Sequence, residues 1–156
     1  MFVNTDFSEL VKLFNDNQVR YLVVGGYAVV QHSEPRFTKD LDVWIATDTA
    51  NAAAVYKALK EFGAPLADLT VRDFAIEGYF YQMGAPPVRV DILMGIPGVI
   101  FADCWARRTE SRFDDLIVNF ISKDDLIRAK LASGRPQDLL DAANLQGKRK
   151  RPRKKP

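Results

Sequence analysis

Residues 40–45 read DLDVWI, a run with the apolar and aromatic content of a strand that nevertheless carries Asp40 and Asp42 two positions apart. Side chains along a strand alternate between faces, so both carboxylates point to the same side of a sheet. Two like charges side by side cost free energy unless a cation lies between them. This face is therefore either a solvent-facing edge or a divalent-metal site. Just upstream, the apolar run Tyr21-Leu22-Val23-Val24 ends in Gly25-Gly26. That is the pattern of a buried strand followed by a turn.

The remaining elements follow from periodicity and punctuation. Phe7, Leu10, Val11 and Phe14 share one helical face over 6–17, with Thr5 or Asp6 as the cap. A short helix over 27–32 follows the glycine pair, and DLDVWI belongs to a strand over 40–46. Thr49 caps a helix over 49–62 that Gly63 stops. Two strands over 78–83 and 88–93, joined through Gly84-Ala85-Pro86-Pro87, form a hairpin. A fifth short strand covers 117–121. Ser122 caps a helix over 123–133, with Asp125 as its capping-box partner, and Pro136 opens a last helix that runs to about Leu145. The expected fold is α/β in the α+β sense, a small mixed β-sheet flanked by helices with a helical C-terminal part. Trp44 and Phe37 are assigned to the core, and the only histidine, His32, to a structural role.

At 156 residues and 47% hydrophobic, the chain is expected to form one folded domain over 1–146. No run of about 18 apolar residues and no signal-peptide pattern occurs, so a cytoplasmic protein without a membrane span is expected. Cys104 is the single cysteine, which excludes an internal disulfide and, with one histidine, argues against structural zinc. Residues 147–156, GKRKRPRKKP, form a basic tail with seven of the 22 Lys and Arg and no acid, leaving 15 bases against 20 acids in the body. A basic tail on an acidic body is the pattern of an arm that seeks a polyanion such as RNA. A solvated, solubilising end has the same composition, and both readings stand.

A third acid completes the constellation. Asp91 interrupts the apolar run VRVDIL between Val90 and Ile92, where an isolated buried carboxylate is costly. If its strand lies beside that of Asp40 and Asp42, three carboxylates meet. Hard oxygen donors of this kind suit Mg²⁺ shared with substrate phosphates, and two such ions support in-line phosphoryl transfer. Gly25 and Gly26, lacking side chains, let backbone N–H groups approach a phosphate, and the helix behind them aims its positive end there.

A Gly-Gly turn, a D-x-D strand and a third acid on a neighbouring strand resemble the nucleotidyltransferase superfamily typified by DNA polymerase β. The matching residues are Gly25-Gly26, Asp40-Leu41-Asp42 and Asp91. GGYAVVQHSEPRFTKDLDVWI and KLASGRPQDLLDAANL further resemble the small bacterial nucleotidyltransferases related to the AbiEii and MenT toxins. The resemblance implies a nucleotidyltransferase fold and transfer of a nucleoside monophosphate from an NTP by a two-metal mechanism. Asp40, Asp42 and Asp91 would be the catalytic, Mg²⁺-holding acids. Lys130, Arg135, Asp138 and Asp141 match the subgroup's final motif, with Lys130 toward the triphosphate and Asp138 holding Arg135 or Lys130. Arg36, Thr38 and Lys39, just before the acids, are candidate phosphate contacts alongside Gly25 and Gly26. The acceptors implied are tRNA or other RNA, a protein hydroxyl, or a small antibiotic, and a toxin role would bring a cognate antitoxin as partner. A non-catalytic relative that binds a nucleotide or a partner is the remaining alternative, and three retained acids argue against it.

Overall fold

The computed structural model describes residues 4–33, 35, 37–85 and 88–147. Arg36 and residues 148–156 of the basic tail lie outside the described residues.

Helix α1, Thr5–Asp16, buries Phe7, Leu10, Val11 and Phe14 as its spacing requires. Its cap is Asn4, one position earlier than expected, whose side chain accepts from the N–H groups of Asp6 and Phe7 at 2.8 and 3.1 Å. Strand β1, Tyr21–Val24, is buried along its whole length. Helix α2 spans Gly25–His32, so the glycine pair forms the helix start rather than a separate turn. His32 Nε2 lies 2.7 Å from the carbonyl oxygen of Ile121, tying the end of α2 to the C-terminal half. Strand β2 is Asp40–Ile45. Helix α3, Thr49–Phe62, is capped by Asp48 rather than Thr49, with the Asp48 side chain 3.0 Å from the N–H of Asn51. Gly63 closes α3 in the left-handed conformation at φ 91°.

Beyond a 3₁₀ turn at Val71–Ala75 come strands β3, Phe80–Ala85, and β4, Val88–Leu93. A short helix α4, Phe101–Ala106, and an edge strand β5, Thr109–Phe113, precede β6, Leu116–Phe120. Neither α4 nor β5 was expected. The six residues of α4 are too few to show a period, and β5 reads TESRF, too polar to register as a strand. Helices α5, Lys123–Ser133, and α6, Pro136–Leu145, match their expected bounds.

The strands form one mixed sheet in the order β3-β4-β2-β1-β6-β5. The pairs β1–β2, β3–β4 and β5–β6 are antiparallel, whereas β2–β4 and β1–β6 are parallel. In β2, Leu41, Val43 and Ile45 are wholly buried on one face. Trp44 on the other face meets the ring of Phe101 edge-on at 5.0 Å. Phe37, expected in the core, is 85% exposed. It lies on the stretch before β2, outside the sheet. No helix among the described residues is long and apolar enough to cross a membrane.

Candidate active site

The register of the central strands decides where the acids go. Parallel pairing of β2 with β4 sets Asp42 opposite Asp91 and Asp40 opposite Arg89. Partners across a ladder share a face, so the three carboxylates and the guanidinium stand together. Arg89 Nη2 lies 3.1 Å from Asp40 Oδ2 and 3.6 Å from Asp91 Oδ2. The pairing is incomplete, since Asp40 Oδ1, Asp91 Oδ1 and Arg89 Nε are buried without a hydrogen-bond partner. Burial is the main force that pushes the Asp42 carboxyl up, to about 7; the charge and hydrogen bond of Asp91 and the charge of Asp40 add to it, and Arg89 offsets part.

The sheet brings the three expected acids together without a ready-made metal centre. Among the described residues no group of three His, Cys, Asp or Glu side chains stands arranged as a ready metal centre. The acids are neighbours, but Arg89 sits between two of them. Their chemistry still fits a hard divalent cation: three carboxylates, two of them with an unpartnered buried oxygen, are the donor set Mg²⁺ takes. Asp40, Asp42 and Asp91 are the residues that would hold it.

Glycine at position 25 has two independent reasons. Its φ is +70°, a conformation side chains disfavour, and a Cβ there would fall 2.1 Å from Asp42 Oδ2. The glycine thus makes room for Asp42. Gly26 follows in the first turn of α2. The residue in the N-cap position is Val24, whose side chain offers no acceptor, so no side chain caps this helix. The first N–H groups of a helix have no partner within it, and they carry the positive end of its dipole.

Facing this are the C-terminal helices. Lys130 Nζ lies 3.1 Å from Asp138 Oδ1 and 3.2 Å from Asp141 Oδ2. Asp138 also accepts from Arg135 Nε at 2.8 Å and from the Ser133 hydroxyl. Burial pushes the Asp138 carboxyl up, but the bonds from Ser133, Lys130 and Arg135 outweigh it and hold the group below its ordinary value. The Lys130 side chain is only 11% exposed and is matched by two acids, whereas that of Arg135 is 79% exposed. Arg135 is thus the more available cation.

A cleft of about 140 Å³ joins the two halves, with Val24, Gly25 and Asp42 on the sheet side and Lys130, Arg135 and Asp138 on the helical side. Thr38 is half-buried and Lys39 exposed on the stretch that leads into β2. Neither lines this cleft. Arg36, the third candidate there, lies outside the described residues. Arg89 was not among the expected site residues. The available signal was its position two residues before Asp91, which puts both on one strand face.

A mixed sheet bearing adjacent acids on its central strands, an uncapped helix start beside them and cationic side chains across a cleft define a nucleotidyltransferase fold. Residues 3–146 match the family described as "Nucleotidyltransferase of unknown function (DUF6036)", and the chain belongs to that family. No curated protein matches it. Solved structures share the fold. The lincosamide antibiotic adenylyltransferase LnuA, determined with lincomycin bound, aligns with a TM-score of 0.57 at 17% identity, over 94% of this chain and 98% of that one. The candidate nucleotidyltransferase TM1012 of Thermotoga maritima aligns with a TM-score of 0.59 at 14% identity, over 92% and 91% of the two chains. An antigenic nucleotidyltransferase-like protein of Paracoccidioides brasiliensis gives 0.57 at 19% identity, over 90% and 73%.

Proposed function

We propose that the protein transfers a nucleoside monophosphate from an NTP to an acceptor hydroxyl, with Asp40, Asp42 and Asp91 as the reactive acids. The observation that carries this reading is the cleft itself. It sets Asp42 and the uncapped start of α2 against Arg135 and Lys130. Phosphate oxygens entering it meet the start of α2 at Gly25 on one side and the Arg135 guanidinium on the other. Lys130, held by Asp138 and Asp141, keeps the helical wall in place and adds positive potential. Divalent ions held by the three acids would neutralise charge on the triphosphate and lower the pKa of the attacking hydroxyl. The α-phosphorus gains a bond to the acceptor oxygen, whose proton passes to the Asp91 carboxylate, and loses its bond to pyrophosphate, which departs with the negative charge. Thr38, Lys39 and Arg36 are assigned to the outer phosphates or the acceptor.

For the acceptor, RNA, tRNA included, is the favoured class. The seven Lys and Arg of 147–156 supply an electrostatic arm for a polyanion. A small cationic acceptor is the second reading, favoured by the excess of acids in the body and by the likeness in fold to an antibiotic adenylyltransferase. A toxin role with a cognate antitoxin belongs with an RNA or protein acceptor. The test is incubation with each α-³²P-labelled NTP, Mg²⁺ and, separately, total RNA, total protein or aminoglycoside and lincosamide panels. Label in one fraction, absent with Asp42→Asn, supports transfer and names the acceptor class. No labelled product with any NTP or acceptor overturns it.

A further inference from the structure

Arg89 occupies an unusual position for an arginine at a site that needs cations. One nitrogen, Nη2, reaches toward Asp40 and Asp91 together, at 3.1 and 3.6 Å, and so bridges them as an ion would. It does so poorly. Each carboxylate keeps one buried oxygen without a partner, and the guanidinium keeps its own Nε unpartnered. A structural arginine pair ordinarily has parallel bonds from the guanidinium fork to both carboxylate oxygens. Its placement follows from β4 alone: Arg89 and Asp91 are two residues apart on one strand, and the register carries Arg89 to Asp40. Partly exposed at 33%, the side chain has open solvent to move into.

We propose, on the nucleotidyl-transfer reading above, that Arg89 is a positioning residue standing in for a divalent cation between Asp40 and Asp91. It holds the two carboxylates facing one another while no metal is bound, and it must leave them when metal enters. Arg89 pairing and metal binding at these oxygens are mutually exclusive, and Arg89 sets how much metal is needed to load the site. Two consequences follow. Removing the guanidinium charge tightens metal binding, because nothing has to be displaced. It also leaves the metal-free protein less stable, because three neighbouring acids are deprived of the counter-charge beside them. A brace that merely shaped the site would have the opposite effect on metal, since its removal would disorder the ligands.

The measurement is Mn²⁺ titration of the full chain, with free ion followed by electron paramagnetic resonance, and melting temperature with and without Mn²⁺. The proteins are wild type, Arg89→Gln, Arg89→Met, Arg89→Lys and Asp42→Asn, each checked for fold by circular dichroism. Arg89→Gln should bind Mn²⁺ about tenfold more tightly than wild type, the effect of removing one nearby charge. It should also gain more in melting temperature from the ion. Arg89→Lys, which keeps the charge, should stay within about twofold of wild type. Unchanged or weaker binding by a folded Arg89→Gln or Arg89→Met overturns the proposal. If neither neutral variant folds without metal, Mn²⁺ should restore the fold, and failure to do so overturns it as well. Failure of the underlying reading is a separate result: wild type and Asp42→Asn would then bind Mn²⁺ alike, or not at all.

Discussion

Two aspartate clusters in this molecule solve the same problem in opposite ways. Asp125, at the start of α5, has a fully buried side chain surrounded by donors. Arg107 donates to both of its oxygens at 3.0 and 2.9 Å, Arg128 to one at 2.6 Å, and the Ser122 hydroxyl at 3.0 Å. Burial pushes this carboxyl up, but the bonds from Arg107, Ser122 and Cys104 outweigh it and hold the group below its ordinary value. Asp42 has acids for neighbours, and its carboxyl is pushed up to about 7. A buried acid with every lone pair engaged is a structural fixture. A half-buried group of acids with unpartnered buried oxygens is short of positive charge, and that shortage is what a metal-bound phosphate substrate can meet.

The sharpest way to break this comparison is to neutralise one acid in each cluster. Asp42→Asn should cut nucleotidyl transfer by about 10³-fold or more, the scale of removing a charge that acts in the transition state. Its effect on stability should have the opposite sign. Between about pH 4 and 7, folded Asp42 keeps a proton that the unfolded chain has released. The stability tied to that proton is present at low pH and lost as pH rises through about 7. Melting curves should therefore show Asp42→Asn more stable than wild type at pH 8 and little different at pH 4. A variant less stable than wild type at pH 8 would make Asp42 structural.

Asp125→Asn should do the reverse, lowering stability by about 2–3 kcal/mol in urea titrations. This cost is at the low end for a buried charge pair because the Arg107 and Arg128 side chains are more than half exposed and can return to water. Transfer per folded molecule should be nearly unchanged. A large fall in kcat without loss of stability would move Asp125 into the chemistry.

The helical wall should divide in the same way, with smaller effects. Lys130→Gln leaves Asp138 and Asp141 buried without their shared cation and should cost about 2 kcal/mol of stability. Arg135→Gln should leave stability within about 0.5 kcal/mol while raising KM for the NTP about three- to tenfold. Equal effects of the two changes on KM would show that both cations touch the triphosphate.

Removal of residues 148–156 should have the smallest effect on the folded body, moving the melting temperature by about 1 °C or less, because the segment brings no apolar side chain able to pack. If RNA is the acceptor, the slope of log affinity against log salt should flatten by about 0.7–0.9 for each phosphate that the truncated protein no longer neutralises. Identical slopes for full-length and truncated protein would leave the small-acceptor reading in front.

Much of the fold is legible in the sequence alone, because its signals are local. Apolar spacing set the buried face of α1, the run Tyr21–Val24 marked β1 to the residue, and Gly63, Ser122 and Pro136 bounded helices correctly. Local signals failed where several residues compete for one task. Asn4 and Asp48 cap helices assigned to Thr5 or Asp6 and to Thr49, since any short polar side chain near a helix start can accept those N–H groups. Phe37 looked like core on hydrophobicity alone, yet burial depends on having a neighbour to pack against.

The site divides along the same line. That Asp40 and Asp42 share a face, that Asp91 is a charge stranded in an apolar strand, and that a glycine pair ends β1 were all determined by the sequence, because alternation and chain flexibility are properties of neighbouring residues. The parallel pairing that set Asp91 beside Asp42 and Arg89 beside Asp40 was decided by the sheet as a whole. So was the reason for Gly25, which concerns an Asp42 oxygen contributed by the next strand. The availability of Arg135 and the confinement of Lys130 depended on where α6 docks against α5. Contacts between residues far apart in the chain depend on register and packing, and these are settled only when the whole core closes at once.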